Sequence, residues 1–156
     1  MTMTATRPRP NGHPGYSETH PRAERTAPLA RRLVGTACAA WGLADEVTRS
    51  ATLVMAELVS NAIRHARGPT IRIIIDRPSD EWVCLAVVDR APHRLPELLA
   101  PSAEEQSGRG LLLIEALSDR WGYDRLGPAS RPWGKRCWAE LTVSLGVNLT
   151  TNRADR

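Results

Sequence analysis

The sequence predicts an α/β (α+β) two-layer sandwich, in which a mixed, mainly antiparallel sheet carries three helices on one face. Three observations predict it. Two long segments with helical periodicity come first, short apolar segments with strand-like alternation follow, and a third helical segment separates the strands into two pairs. At 156 residues and 42% hydrophobic content, the chain is long enough for a single domain with its own core.

The first two helices are predicted over residues 27–41 and 46–66. Thr26 and Asp45 precede the periodic segments and are expected to be N-caps, because short polar side chains accept hydrogen bonds from the first free amides. Gly42 is expected to end the first helix, since glycine adopts the left-handed conformation found at helix ends.

Five strands and a third helix complete the predicted domain. Ile71, Ile73 and Ile75 alternate with other residues, which gives one strand a strongly apolar face. Residues 82–88 are almost all apolar, as expected of a central strand, and the third helix is predicted over 111–119. The strands are predicted at 16–20, 71–76, 82–88, 121–126 and 135–145, with a turn at Pro78-Ser79-Asp80.

Composition separates the domain from its two ends. Residues 1–16 are rich in Pro, Thr, Arg and Gly and are predicted to be a disordered arm. Residues 17–146 form the predicted domain, and 147–156 a frayed polar tail. Residues 91–107 contain three prolines and little periodicity, so they are predicted to be a long loop of the kind that is often functional.

Charge and cysteine usage exclude several classes of protein. The net charge of +4 is too small to indicate nucleic-acid binding, and no apolar run reaches the length of a membrane span. Three widely spaced cysteines without a C-x-x-C motif indicate reduced thiols rather than zinc or disulfides, and a cytoplasmic location is expected. Lys135 is the only lysine, and the preference for arginine is interpreted as coding bias.

The most informative segment is ELVSNAIRHA, at residues 57–66. Glu57 and Asn61 are four residues apart, so they share one helix face beside an apolar stripe. A carboxylate there can take a proton, and a carboxamide oxygen can bind a hard cation such as Mg²⁺. For the pair alone, the simpler interpretation is a helix face at the solvent boundary, because Glu-x-x-x-Asn is common by chance.

Three further segments change these odds, because they follow in a defined order. Residues 57–66 resemble the N box of the GHKL ATPases, the superfamily of gyrase, histidine kinases and MutL. VVDRAP at 87–92 stands where the adenine-binding Asp motif is expected, and SGRGLLLIEALSDRWG at 107–122 where the phosphate-binding glycine motif is expected. GKRCWAELTV at 134–143 resembles the closing strand. The chain is most similar to the anti-sigma-factor serine kinases of the RsbW type, in their actinobacterial form, over residues 27–145.

The resemblance implies a Bergerat fold that binds ATP and Mg²⁺. It implies that Asn61 ligates Mg²⁺ bridging the phosphates, that Glu57 is the general base, and that Asp89 accepts a hydrogen bond from the adenine amino group. It places the 91–107 loop as a short lid over the nucleotide. The residues it assigns to phosphate binding are Gly108, Arg109, Gly110 and Leu111, with Gly110 opening the third helix.

One motif departs from the family pattern. Where the family has Asp-x-Gly-x-Gly, this chain has Asp89-Arg90-Ala91-Pro92, so the backbone has less freedom to approach the base. Without the resemblance, the alternative interpretation of Asp89 is an Asp that ends a strand at a turn, and such residues are common. Arg64 and His65 follow on the same helix and are interpreted as structural or solvated, although His65 lies on the Asn61 side and is a candidate for lining the pocket.

Two functions from different classes follow. The resemblance implies an ATP-dependent serine/threonine protein kinase that phosphorylates a STAS-type anti-anti-sigma protein and sequesters a sigma factor, with homodimers common in the family. The alternative is a non-catalytic module that binds ATP or a partner. Retained Glu57 and Asn61 favour the kinase, and the missing glycines favour the module. A sensor histidine kinase, a chaperone, a topoisomerase and a DNA-binding protein are each less consistent with the sequence.

Overall fold

The computed structural model describes residues 4–5, 13–94 and 106–143, with the backbone alone for 4–5 and 106–111. Three helices and six strands lie in this part of the chain, in the predicted two layers. The helices are α1 (Thr26–Ala40), α2 (Asp45–His65) and α3 (Gln106–Leu117), and the strands are β1 (Thr4–Ala5), β2 (Tyr16–Pro21), β3 (Thr70–Ser79), β4 (Trp82–Asp89), β5 (Arg120–Leu126) and β6 (Gly134–Thr142).

The strands form one open sheet in the order β1-β2-β3-β4-β6-β5. Every described pairing is antiparallel, which confirms the predicted antiparallel character. The closing strand β6 inserts between β4 and β5, so β4 is central and pairs with β3 on one side and β6 on the other. In the register of β4 and β6, the last residue of β4, Asp89, stands opposite Lys135.

The core lies between one face of the sheet and the helices. Ile71, Ile73 and Ile75 are each about as buried as a residue can be, which confirms the predicted apolar face of β3. Residues on the same face of β4 and β6 join them, together with the inward stripes of α1 and α2. The strand residues on this face are Ile71, Ile73, Ile75, Val83, Leu85, Val87, Ala139 and Leu141.

The opposite face of the sheet is covered by its own long side chains. Trp138 stands opposite Ala86, and its ring lies against Gly122 on β5. Arg136 reaches across to the Cys84 sulphur at 3.8 Å. These cross-strand contacts explain how Cys84 and Ala86 become buried on a face without helices.

The first two helices end and begin close to the predicted positions. Gly42 has φ = 67°, and the amides of Gly42 and Leu43 bond back into the last turn of α1, so glycine ends this helix as predicted. Thr26 is the first residue of α1 rather than its N-cap, and its hydroxyl donates to the Pro21 carbonyl at 2.6 Å. Asp45 likewise lies inside the first turn of α2, where its charge favours the positive end of the helix.

Three segments differ from the prediction. Pro78 lies within β3, at a register shift between Asp76 and Ser79, and the turn follows at residues 80–81. A bulge tolerates proline because the missing N–H has no ladder partner there. Thr4–Ala5, within the arm predicted to be disordered, pairs with β2. Helix α3 begins at Gln106 and ends at Leu117, earlier at both ends than predicted.

Two predictions fall wholly or largely on residues that the structure does not describe. They are the lid at 91–107, of which 95–105 are not described, and the tail at 147–156. Among the described residues, no helix is both long and apolar enough to cross a membrane.

Candidate functional site

Helix α2 carries Glu57 and Asn61 at the edge of the core. Val54, Leu58 and Ala62 are buried on the neighbouring stripe, at 4% exposure or less, whereas Glu57 and Asn61 are each half-buried. Within the described part of the chain, neither polar side chain has a hydrogen-bond or ionic partner. The two groups are therefore held in place by their helix and available to a ligand.

Arg22, which directly follows β2, connects the C-terminal end of α2 to the segment that leads into β3. Its guanidinium donates to the Ile63 carbonyl at 2.7 Å and to the Gly68 carbonyl at 2.8 Å. The carbonyls of the last helical turn receive no hydrogen bond from an amide of the same helix. A cation at this end donates to one of them, and its charge complements the negative end of the helix dipole. The last turns of α2, which follow Asn61, are thereby held in a defined position.

Asp89 ends β4 as predicted, but its carboxylate is not open. The Lys135 ammonium lies 2.8 Å from one carboxylate oxygen and 2.9 Å from the other. The Ala91 amide donates to the carboxylate at 2.9 Å, and Lys135 also donates to the Ala91 carbonyl at 3.0 Å. Asp89 and Lys135 are each 3% exposed, so the end of β4 holds a buried ion pair in which every ammonium hydrogen has an acceptor.

Gly134 allows β6 to approach the end of β4 this closely. A Cβ at this position would collide with the Asp89 carbonyl oxygen, so no other residue fits without a backbone shift. Because Lys135 follows directly, the close approach places its side chain at the Asp89 carboxylate. Gly134 and Lys135 thus act as one structural unit.

The residues after β4 are held against α2 and β5 by arginines. Arg94 donates to the His65 carbonyl at 3.5 Å, and Arg125 donates to the Pro92 carbonyl at 3.2 Å. The Arg90 side chain lies over Gly68. Ala91 stands at the first glycine position of the family pattern, and it and its neighbours Arg90 and Pro92 therefore have contacts of their own on both sides of the site.

His65 reports a positive environment at this end of α2. Its pKa is lowered, first by desolvation and then by the charges of Arg64, Arg94 and Lys135. The side chain itself is exposed, so the structure does not place it as a wall of a closed pocket. Several cations near the end of α2 provide an environment that favours an anionic ligand.

The glycine motif lies in the N-terminal part of α3. Gly110 does not open the helix, because α3 begins four residues earlier at Gln106. In an α-helix the amides of the N-cap and of the first three residues have no intrahelical acceptor, so in the described part the free amides belong to residues 106–108, which include Gly108. The amides of Gly110 and Leu111 belong to the regular helix. The side chains of 106–111 lie outside the described part.

The order and position of these segments match a known domain. The profile of the histidine kinase-like ATPase domain matches residues 20–132, well over half of the chain. The chain belongs to the histidine kinase-like ATPase domain family. No curated protein matches the chain significantly. The matched range contains Glu57, Asn61, Asp89 and the glycine motif, and it ends before Lys135.

Membership in the histidine kinase-like ATPase domain family makes ATP, usually with Mg²⁺, the ligand class of this fold. The described residues contain no cluster of three or more acidic, His or Cys side chains able to hold a metal by themselves. A single protein oxygen is nonetheless sufficient for Mg²⁺, because Mg²⁺ in nucleotide sites is held by one or two protein oxygens together with phosphates and waters. Asn61, half-buried and without a partner among the described residues, is suited to be that protein ligand.

Sequence reasoning missed Lys135. The composition alone attributes the single lysine to coding bias, although it directly follows Gly134 at the start of the closing strand. Its position in an arginine-rich chain was a usable signal, because an ammonium and a guanidinium differ in size and geometry. Its partner could not be read from the sequence, since Asp89 is 46 residues away.

Proposed function

We propose that this domain is an ATP-dependent serine/threonine protein kinase of the anti-sigma-factor type, which phosphorylates a STAS-type anti-anti-sigma protein and sequesters a sigma factor. The observation that carries the proposal is the Glu57–Asn61 pair. A base and a cation ligand stand one helical turn apart, half-exposed and without partners in the described chain. Phosphoryl transfer depends mainly on positioning and on neutralising charge, and this pair can supply both.

Asn61 would hold the metal and Glu57 would handle the proton. Mg²⁺, when bound, supplies charge neutralisation on the phosphates. In the transfer, the hydroxyl oxygen of a serine or threonine forms a bond to the γ-phosphorus while the bond from that phosphorus to the oxygen of ADP breaks. The hydroxyl proton passes to the Glu57 carboxylate, which is exposed enough for a protein substrate to reach it.

A second candidate function is a regulatory module that binds a partner without catalysis. The observation that favours it is the buried ion pair, because Asp89 is already bonded to Lys135 and to the Ala91 amide. A domain that bound its partner without binding ATP would have no need of an open Asp89. It would also have no need of Glu57, which this chain retains.

Phosphotransfer separates the two functions. We expect the protein, given γ-labelled ATP and Mg²⁺, to label at least one of the purified STAS-type proteins encoded in the same genome. Glu57→Gln should reduce this transfer by about 10²–10⁴-fold without weakening ATP binding. Glu46→Gln is the matched control, because it makes the same chemical change at an exposed position of the same helix.

Each result has a clear meaning. Transfer that survives Glu57→Gln at the parental rate removes Glu57 from the mechanism. If the protein binds ATP but transfers phosphate to none of the STAS-type proteins, the kinase hypothesis is contradicted and the non-catalytic module is supported. Sequestration is a separate measurement, in which the purified protein is mixed with sigma factors of the same genome and a stable complex is sought by size-exclusion chromatography.

A further inference from the structure

The ion pair at the end of β4 leaves Asp89 little capacity to recognise a base. The Lys135 ammonium has three hydrogens and three acceptors within 3.0 Å, namely the two Asp89 carboxylate oxygens and the Ala91 carbonyl. One Asp89 oxygen accepts from both Lys135 and the Ala91 amide, and the other accepts from Lys135. Because a carboxylate oxygen has two lone pairs, one acceptor direction remains.

That remaining direction is not open to solvent. The Asp89 side chain is 2% exposed and the Lys135 side chain 4% exposed. A base that donated to Asp89 would have to enter a position that the protein itself fills with an ammonium group. Asp89 therefore accepts an external donor only after Lys135 has moved.

The position of Lys135 is imposed by strand pairing. Lys135 stands opposite Asp89 in the β4–β6 register, and Gly134 brings the two backbones together more closely than a Cβ would allow. The Ala91 backbone adds one donor to Asp89 and one acceptor to Lys135. The contact is thus part of the framework of the domain rather than an exposed pairing of mobile side chains.

We propose that Lys135 is the residue that determines base affinity and specificity in this domain, because it occupies Asp89 and must be displaced before Asp89 can accept the amino group of adenine. The proposal rests on the proposed function to the extent that the domain binds ATP. It predicts that the parent protein binds ATP weakly and has a low preference for ATP over GTP. An open Asp89 would favour ATP, because adenine has an amino group at a position where guanine has a carbonyl, but Lys135 occupies Asp89.

Lys135→Thr tests the proposal. Threonine removes the ammonium and suits a strand, so Asp89 becomes free to accept from adenine. We expect calorimetry in the presence of Mg²⁺ to show ATP bound about 10- to 100-fold more tightly than by the parent protein, the value of one hydrogen bond to a charged group. GTP affinity should change much less, so the ATP-over-GTP preference should rise.

Two further variants separate recognition from structure. Arg136→Thr is the matched control, because it removes a cation from the neighbouring position of β6, on the opposite face of the sheet and in contact with Cys84 rather than Asp89. It should leave both nucleotide affinities unchanged. In Asp89→Leu with Lys135→Thr, the gain for ATP should disappear, because leucine has a similar shape but no hydrogen-bond acceptor.

A measurement on the parent protein does not depend on how well the variants fold. Lys135 is the only lysine, so lysine labelled with ¹³C and ¹⁵N gives one set of side-chain signals in an NMR spectrum. Addition of ATP should shift the Lys135 Cε and Nζ signals as the ammonium leaves Asp89. Inorganic tripolyphosphate, which lacks a base, should leave them in place.

The results distinguish this proposal from the proposed function. Equal ATP affinity of the parent and Lys135→Thr, or Lys135 signals that do not respond to bound ATP, would overturn the role of Lys135 while leaving ATP binding intact. Absence of ATP binding in both proteins would overturn the kinase and this proposal together. An ATP-over-GTP ratio that stays constant while both affinities rise would assign Lys135 a purely structural role and would also overturn the proposal.

Discussion

At the scale of single residues, the site combines two side chains that are free with two that are bound to each other. Glu57 and Asn61 have no partner in the described chain, whereas Asp89 and Lys135 satisfy one another inside the protein. A free polar group at the boundary of a core costs little and is available to ligands. A buried charge is tolerated only when it is paired.

Asn61→Ala should remove the Mg²⁺ dependence of nucleotide binding. The carboxamide oxygen is the proposed protein ligand, and alanine cannot replace it, whereas the rest of the nucleotide site is untouched. Calorimetric titration with ATP, with and without Mg²⁺, measures the effect. The parent protein should bind more tightly with Mg²⁺, and the variant should bind equally in both buffers. A variant that kept the full Mg²⁺ effect would place the metal on another residue.

Asp89→Ala should destabilise the fold before it affects base recognition. The substitution leaves the Lys135 ammonium buried without its counter-ion, and breaking such a pair costs about 3–5 kcal/mol of unfolding free energy. Urea unfolding measures the loss. Asp124→Ala, at an exposed position of β5, is the control and should change stability by no more than about 0.5 kcal/mol. A loss as small as that of the control would show that the pair contributes little.

At the scale of secondary-structure elements, periodicity predicted which segments form helices and strands, and it was less informative about where they end. The alternation of Ile71, Ile73 and Ile75 identified β3 because one face of the strand enters the core. The sequence predicts a turn at Pro78-Ser79-Asp80, but a bulge allows β3 to continue past Pro78 to Ser79. The sequence predicts that Gly110 opens α3, but the helix begins at Gln106 and contains both Gly108 and Gly110, although glycine is a poor helix former.

Gly134→Ala tests how β4 and β6 are brought together. The added Cβ would meet the Asp89 carbonyl oxygen, so the start of β6 must shift, at a cost of about 1–3 kcal/mol in unfolding free energy. Gly35→Ala is the matched control, because a Cβ there meets nothing within 4 Å and alanine is the better helix former. Thermal unfolding should show a lower midpoint for the first variant and an equal or higher midpoint for the second. Equal midpoints for Gly134→Ala and the parent would mean that the backbone relaxes freely.

At the scale of the whole molecule, the reactivity of the three cysteines measures whether the folded protein keeps them buried. Cys38 and Cys84 are buried, Cys137 is half-buried, and all three are reduced, as predicted. Burial raises the pKa of the Cys38 thiol and raises that of Cys137 to about 11, despite the nearby charge of Lys135. A protonated thiol is a poor nucleophile, so these cysteines should be unreactive near neutral pH.

The reaction with Ellman's reagent checks this at pH 8. In the native protein the thiols should react slowly, and denaturant should release all three at once. A thiol whose pKa is raised in the folded protein destabilises the fold as pH rises above its ordinary value of 9.0, and the loss continues to about pH 11. Stability measured by urea should therefore fall between pH 9 and 11. Rapid labelling of the native protein at pH 8 would contradict the burial of Cys137.

The sequence by itself determined the layered fold, the predicted face of β3, and the positions of Glu57, Asn61 and Asp89. These follow from local periodicity and from short motifs, which are properties of neighbouring residues. Only the tertiary structure decided that the Asp89 carboxylate is occupied by the Lys135 ammonium. Antiparallel pairing of β4 with β6, with a glycine at the point of closest approach, brings together two residues 46 positions apart, and no local pattern encodes that contact.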